Sequence, residues 1–214
     1  MLIKRFALFS TLWLIPSFAL WYVGHQTVLL TAFQTVLSPI IKIGFVIEQA
    51  HLHNKENGWV ISTTILTPDQ PTKESQRVRV QNIKVEKIIT YLLGFPLLWA
   101  LLFAVATHRP RTFLRNFLIG NIVLFICVAG ALWLKMFLLI AVLVSEPNTQ
   151  IYLLPGVVQN AVPYSSWLIV TLQFIQKIVA YICVFIVPVA TWYALLVPED
   201  KKQLFNYNEE NKQY

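Results

Sequence analysis

The chain has 214 residues, is 57% hydrophobic and only 13% charged, and carries a net charge of +7 with a mean hydropathy of +0.61. A soluble domain of this size could not bury that much apolar surface, so the composition specifies a membrane protein. Nor does the positive charge signal nucleic acid, because no polar segment carries a basic stripe interleaved with exposed aromatics.

Met1 to Arg5 is a short basic start and Phe6 to Gly24 an apolar run, the pattern of a signal peptide or a signal anchor. Ser17 and Ala19 have the small side chains of a cleavage site. The Trp21-Tyr22 pair favours a retained first transmembrane helix, because such aromatics mark where a helix leaves the bilayer. Pro16 would kink it, which membrane helices tolerate.

Residues 25–87 then lie outside the membrane. Val28, Leu29, Leu30, Phe33, Val36, Leu37, Ile40 and Ile41 recur at helical spacing, with Gln34, Thr35 and Ser38 on a narrower polar side. The spacing predicts an amphipathic helix at the outer surface, bent or ended by Pro39. The period then changes. FVIEQAHLH and WVISTTIL are β-prone runs around a polar turn, Asn54 to Gly58, that ends in Asn-Gly. After a linker from Thr67 to Ser75, the alternation beginning at Arg77 predicts a further strand. A sheet of about three short strands needs support, so it is expected to lean on the amphipathic helix as a contact module.

From Ile88 to Thr107 the chain is uncharged and mostly apolar, with Lys87 before it and Arg109, Arg111 and Arg115 clustered after it. That is the roughly twenty-residue length of one bilayer crossing. The connection from Ser145 to Ser166 has no Lys or Arg, so the basic turn is assigned to the cytoplasm and that connection to the outside. Apolar runs from Phe117 to Val144 and from Trp167 to Val197 exceed one crossing. A crossing of about twenty residues counted from Arg115 ends at Lys135, and one counted back from Glu199 ends near Lys177. Both lysines then reach the outer headgroup layer, level with Lys87. The excess, Met136 to Val144 and Trp167 to Leu172, would project as a helical hairpin, covered by the amphipathic helix or by a partner protein.

The expected architecture is therefore mainly α and membrane-embedded, with four transmembrane helices. Both termini are inside, and a small extracytoplasmic α+β module joins helices 1 and 2. Its parts are 1–24, the first helix; 25–87, the outer module; 88–197, a three-helix region with the projecting hairpin; and 198–214, a polar cytoplasmic tail. The candidate partner-binding residues are Phe33, Leu37, Trp59, Met136, Phe137 and Trp167. The membrane-boundary residues are Lys87, Arg109, Arg111, Arg115, Lys135 and Lys177.

Catalytic signals are weak. Cys127 and Cys183 are single thiols at mid-membrane with no base near in sequence, and burial disfavours the thiolate. His51-x-His53 has a metal-compatible spacing without further Cys or His support, so a solvated strand is the better reading and no metal or cofactor is expected. His108 belongs to the basic turn. Lys135 and Lys177, with Gln173 and Gln176, would be the residues of a transporter or channel path if they were not boundary markers. No phosphate loop, paired catalytic carboxylates, nucleophile elbow or zinc-protease motif occurs.

The run VRVQNIKVEKIITYLLGFPLLWALLFA, the turn THRPRTFLRNFLIG and the stretch QFIQKIVAYICVFIVPVATWY resemble the exosortase H-associated membrane protein family, in order and over most of the chain. Ile83 stands after Asn82 where the family pattern has proline. The resemblance implies a multi-pass protein of a bacterial inner membrane. It would sit beside an exosortase, a membrane enzyme that resembles cysteine transpeptidases and acts on C-terminal sorting signals. No catalytic residue carries over from the family. The implied role is a non-enzymatic accessory or scaffold subunit of envelope protein sorting, with membrane lipid and another envelope membrane protein as partners. The alternatives are the transporter or channel path and, further off, an intramembrane cysteine enzyme.

Overall fold

The computed structural model describes residues 2–24, 28–44, 51–55, 58–63, 65–66, 81–106, 110–145, 150–154, 157–160 and 163–196. The Thr67 to Ser75 linker, His108, Arg109 and the tail at 198–214 lie outside these residues. The elements are α1 (Leu2–Gly24), α2 (Leu30–Gly44), β1 (His51–Lys55), β2 (Gly58–Thr63), β3 (Ile65–Leu66), β4 (Gln81–Val85), α3 (Ile88–Leu92), α4 (Gly94–Ala106), α5 (Pro110–Val144), β5 (Gln150–Leu154), β6 (Val157–Asn160), α6 (Ser166–Tyr181) and α7 (Val187–Leu195), with a π-helical segment, Ile182–Ile186, joining the last two. They form two compact units. One holds Met1–His25, Tyr91–Val128 and Tyr181–Tyr214; the other holds Gln26–Thr90 and Ala129–Ala180.

In the first unit α1 packs along α4, with Ser17 fully buried and Trp13 stacked on Phe103 at 5.0 Å between ring centroids. Pro16 stays inside a single assigned helix. Phe103 also stacks on Phe113, whose ring meets Phe117 at 5.5 Å. Pro110 opens α5, at the helical position where a missing N–H costs nothing. Along α5 the side chains of Asn116, Leu124 and Val128 are buried every fourth or eighth residue, and Gly120 completes the row. Asn116 donates to the Leu195 carbonyl at 3.2 Å, and Trp99 Nε1 donates to Asn121 Oδ1 at 2.8 Å.

The sequence predicts one helix from Ile88 to Thr107, and here the structure differs. Leu93 is a turn, and the segment is two helices of 5 and 13 residues. Pro96 is the cause: in a continuous helix its ring would clash with the Leu92 carbonyl and would offer it no N–H, so the helix restarts with Pro96 in its first turn. Among the described residues three helical segments are long and apolar enough to cross a membrane, at Ala7–Gly24, Thr112–Val144 and Ser166–Leu195, whereas the interrupted apolar stretch Ile88–Ala104 is shorter.

In the second unit α2 buries Leu30, Phe33 and Leu37, and its Gln34 side chain donates to the Leu52 carbonyl of β1 at 3.0 Å. The amphipathic helix therefore supports the sheet. Strands β1, β2 and β4 form an antiparallel sheet in that order, with Leu52 opposite Ile61 and Trp59 opposite Val85. These four side chains are buried on one face, as the two-residue period of a strand requires. The described part of the third strand is Gln81–Val85, which takes in the end of the predicted alternation; residues 77–80 lie outside the described residues.

A second sheet, in the order β3-β5-β6, places two strands in the connection from Ser145 to Ser166, where the sequence predicts none. The signal was present in QIYLLPGVVQN, two β-prone runs around Pro-Gly. It was hidden because a two-residue strand, Ile65–Leu66, completes the sheet from a point far back in the chain. In the same unit α5 continues its row with Leu132, Met136, Ile140 and Val144 buried. Its end is closed at Ser145, whose Oγ donates to the Ala141 carbonyl at 2.8 Å and accepts from the Tyr164 N–H at 3.0 Å.

Candidate functional site

The residues singled out for partner contact separate by burial. Phe33, Leu37, Trp59 and Met136 are buried within the protein's own packing. Phe137 is half-buried, with its ring against Tyr164 at 6.0 Å and against Trp133 at 5.8 Å. Trp167 is 74% exposed on α6, and no residue of Ser166–Tyr181 is buried. Helical and alternating periods mark apolar faces but do not say whether the chain itself or another protein covers them.

Of the boundary residues, Arg115 and Lys177 are exposed, Arg111 lies in the first turn of α5, and Arg109 falls outside the described residues. Lys87 has a positive φ of 58°, the left-handed conformation that turns the chain from β4 into α3. Lys135 is half-buried and donates through Nζ to the Glu86 carbonyl. Spacing could not show this, because the acceptor is a backbone atom distant in sequence. The ammonium thus closes the strand-to-helix junction. Lys135→Met is expected to cost about 1.5–3 kcal/mol, the range for a hydrogen bond to a charged group. Faster amide hydrogen exchange across residues 81–88, with exchange in α2 unchanged, is the measurement that checks it.

The thiols meet a different arrangement. Cys183 is buried and donates through Sγ to the Cys127 carbonyl at 3.6 Å; both cysteines are free. Cys183 lies in the π-helical segment, where the Val187 N–H turns to the Ile182 carbonyl. Pro188 has no N–H, so the Cys183 carbonyl is deprived of both its α and its π donor. Gly94, at the break between α3 and α4, comes against this carbonyl so closely that a Cβ would stand 2.6 Å from the oxygen and 3.2 Å from Pro188 Cγ. Two interrupted helices therefore meet at a glycine. Irregular backbone of this kind is tolerated at membrane depth where protein covers it. No group of three or more His, Cys, Asp or Glu able to hold a metal occurs among the described residues.

Apolar helices of crossing length and a small β module define a helical membrane protein. The chain belongs to the exosortase H-associated membrane protein family, whose family model matches residues 1–198. No curated protein and no solved structure matches it.

Proposed function

We propose that the chain is a non-catalytic accessory subunit of an exosortase-type sorting or surface-assembly system in the bacterial inner membrane. In this reading it crosses four times, with both termini inside, and holds a second membrane protein through its extracytoplasmic face. Membership of the family over residues 1–198 is the observation that carries the proposal. The compact unit that joins α2, both sheets and the upper part of α5 supports it, because it supplies a folded platform. Co-expression with exosortase H and purification in mild detergent test the idea. Co-elution of the two is expected; a monomer without exosortase, at full expression of both, would sink it.

The cysteine-enzyme reading finds little support, since the Cys183 thiol is directed to a backbone carbonyl. Changing both Cys127 and Cys183 to Ala is expected to leave sorting of an exosortase substrate, normalised to protein level, within about twofold of wild type, whereas a true nucleophile would lose several orders of magnitude. The transporter reading is weakened in the same way, because Lys135 is occupied by the Glu86 carbonyl.

A further inference from the structure

Trp167, Val170, Phe174 and Lys177 follow one another at spacings of three, four and three residues on α6. That is the a/d pattern of a helix seam. Trp167 is 74% exposed, Val170 and Phe174 are each 64% exposed, and Lys177 is exposed as well. Gln173, one turn before Lys177, is also exposed and flanks the seam.

Neither extreme placement of a bilayer satisfies this face by itself. Ten residues of helix separate Trp167 from Lys177, a rise of about 15 Å. With Trp167 at the headgroups, the ammonium of Lys177 lies in hydrocarbon, beyond the reach of its own stem. With Lys177 at the headgroups, a Trp, a Val and a Phe stand in water side by side. The chain offers no counter-charge from its helices, because Asp and Glu are absent from 1–47, from 87–145 and from 147–198.

We infer that this seam of α6 docks a transmembrane helix of the partner protein, apolar over about two heptads and bearing a carboxylate opposite Lys177. A covering helix removes the apolar seam from water and pairs the ammonium at either depth. A second copy of this chain is the wrong occupant, since a parallel symmetric dimer through the seam would set Lys177 against Lys177. The inference rests on the proposed accessory role and specifies the surface that performs it.

The test uses the full chain co-expressed with exosortase H, with a photo-cross-linking phenylalanine analogue at Trp167, Val170 or Phe174, and at Leu172 on the other side of α6 as the control. Adducts to exosortase H are expected at the three seam positions and not at Leu172. Lys177→Glu is expected to reduce the Phe174 adduct by about tenfold or more, and Lys177→Arg to hold it within about twofold, as for a desolvated charge pair. Changing the carboxylate of the cross-linked exosortase helix to Lys should restore the adduct in the Lys177→Glu background. Adducts to phospholipid alone, adducts to a second copy, or a cross-linked helix without a carboxylate would each overturn the inference. Co-elution of the wild-type pair with no seam adduct refutes the seam and leaves the accessory role standing; no wild-type complex refutes both.

Discussion

Replacing Gly94 with alanine is expected to destabilise the unit containing α1 and α4 by about 1–3 kcal/mol, the range for forcing extra volume into a packed interior. The added Cβ would stand 2.6 Å from the Cys183 carbonyl oxygen and 3.2 Å from a ring carbon of Pro188. One is backbone and the other a proline ring, so neither can rotate away. Relief requires α4 to separate from the π-helical segment, which exposes a carbonyl already deprived of its helical donors. Gly130→Ala is the matched control: a Cβ there meets nothing within 4 Å, and alanine is favoured over glycine in a helix interior by roughly 0.5–1 kcal/mol. Thermal unfolding midpoints in detergent should fall for Gly94→Ala and hold or rise for Gly130→Ala. Equal midpoints would mean that the solubilised protein lacks the close approach.

Trp59→Ala is expected to cost the second unit about 3–5 kcal/mol, the range for removing a buried aromatic. Trp59 is 1% exposed and faces Val85 across the pairing of β2 with β4, beside buried Ile61 and Leu52. Deleting it opens a cavity in a small sheet with few other large side chains to close it. Its indole Nε1 is buried with no hydrogen-bond partner among the described residues. Trp59→Phe keeps most of the apolar area and removes that N–H, so its cost should be far smaller. Limited proteolysis of residues 51–90 distinguishes the variants: rapid cleavage for alanine and near wild-type resistance for phenylalanine. A Trp59→Ala protein that remains resistant yet loses exosortase would instead make Trp59 a contact residue.

The membrane class, the amphipathic α2 and the hairpin of β1 and β2 were all legible in the sequence. Each is written in local periods: about twenty apolar residues for a crossing, a 3.6-residue repeat at Phe33 and Leu37, and a two-residue repeat at Trp59 and Ile61. The family resemblance was legible for a related reason, since its motifs are contiguous runs such as GFPLLWAL.

Tertiary structure decided what those periods leave open. Helix α5 is apolar on all sides, so its sequence marks no inward face, and only packing selects the row from Asn116 to Val144. The second sheet depends on Ile65–Leu66 meeting Gln150–Leu154, a non-local pairing that no window of sequence contains. Lys135 finds a backbone carbonyl, and Gly94 finds one across a helix break. The burial of Phe33, Leu37, Trp59 and Met136 and the exposure of Trp167 follow the same rule. Hydrophobicity specifies that a side chain will be covered; the fold decides whether its own chain does the covering.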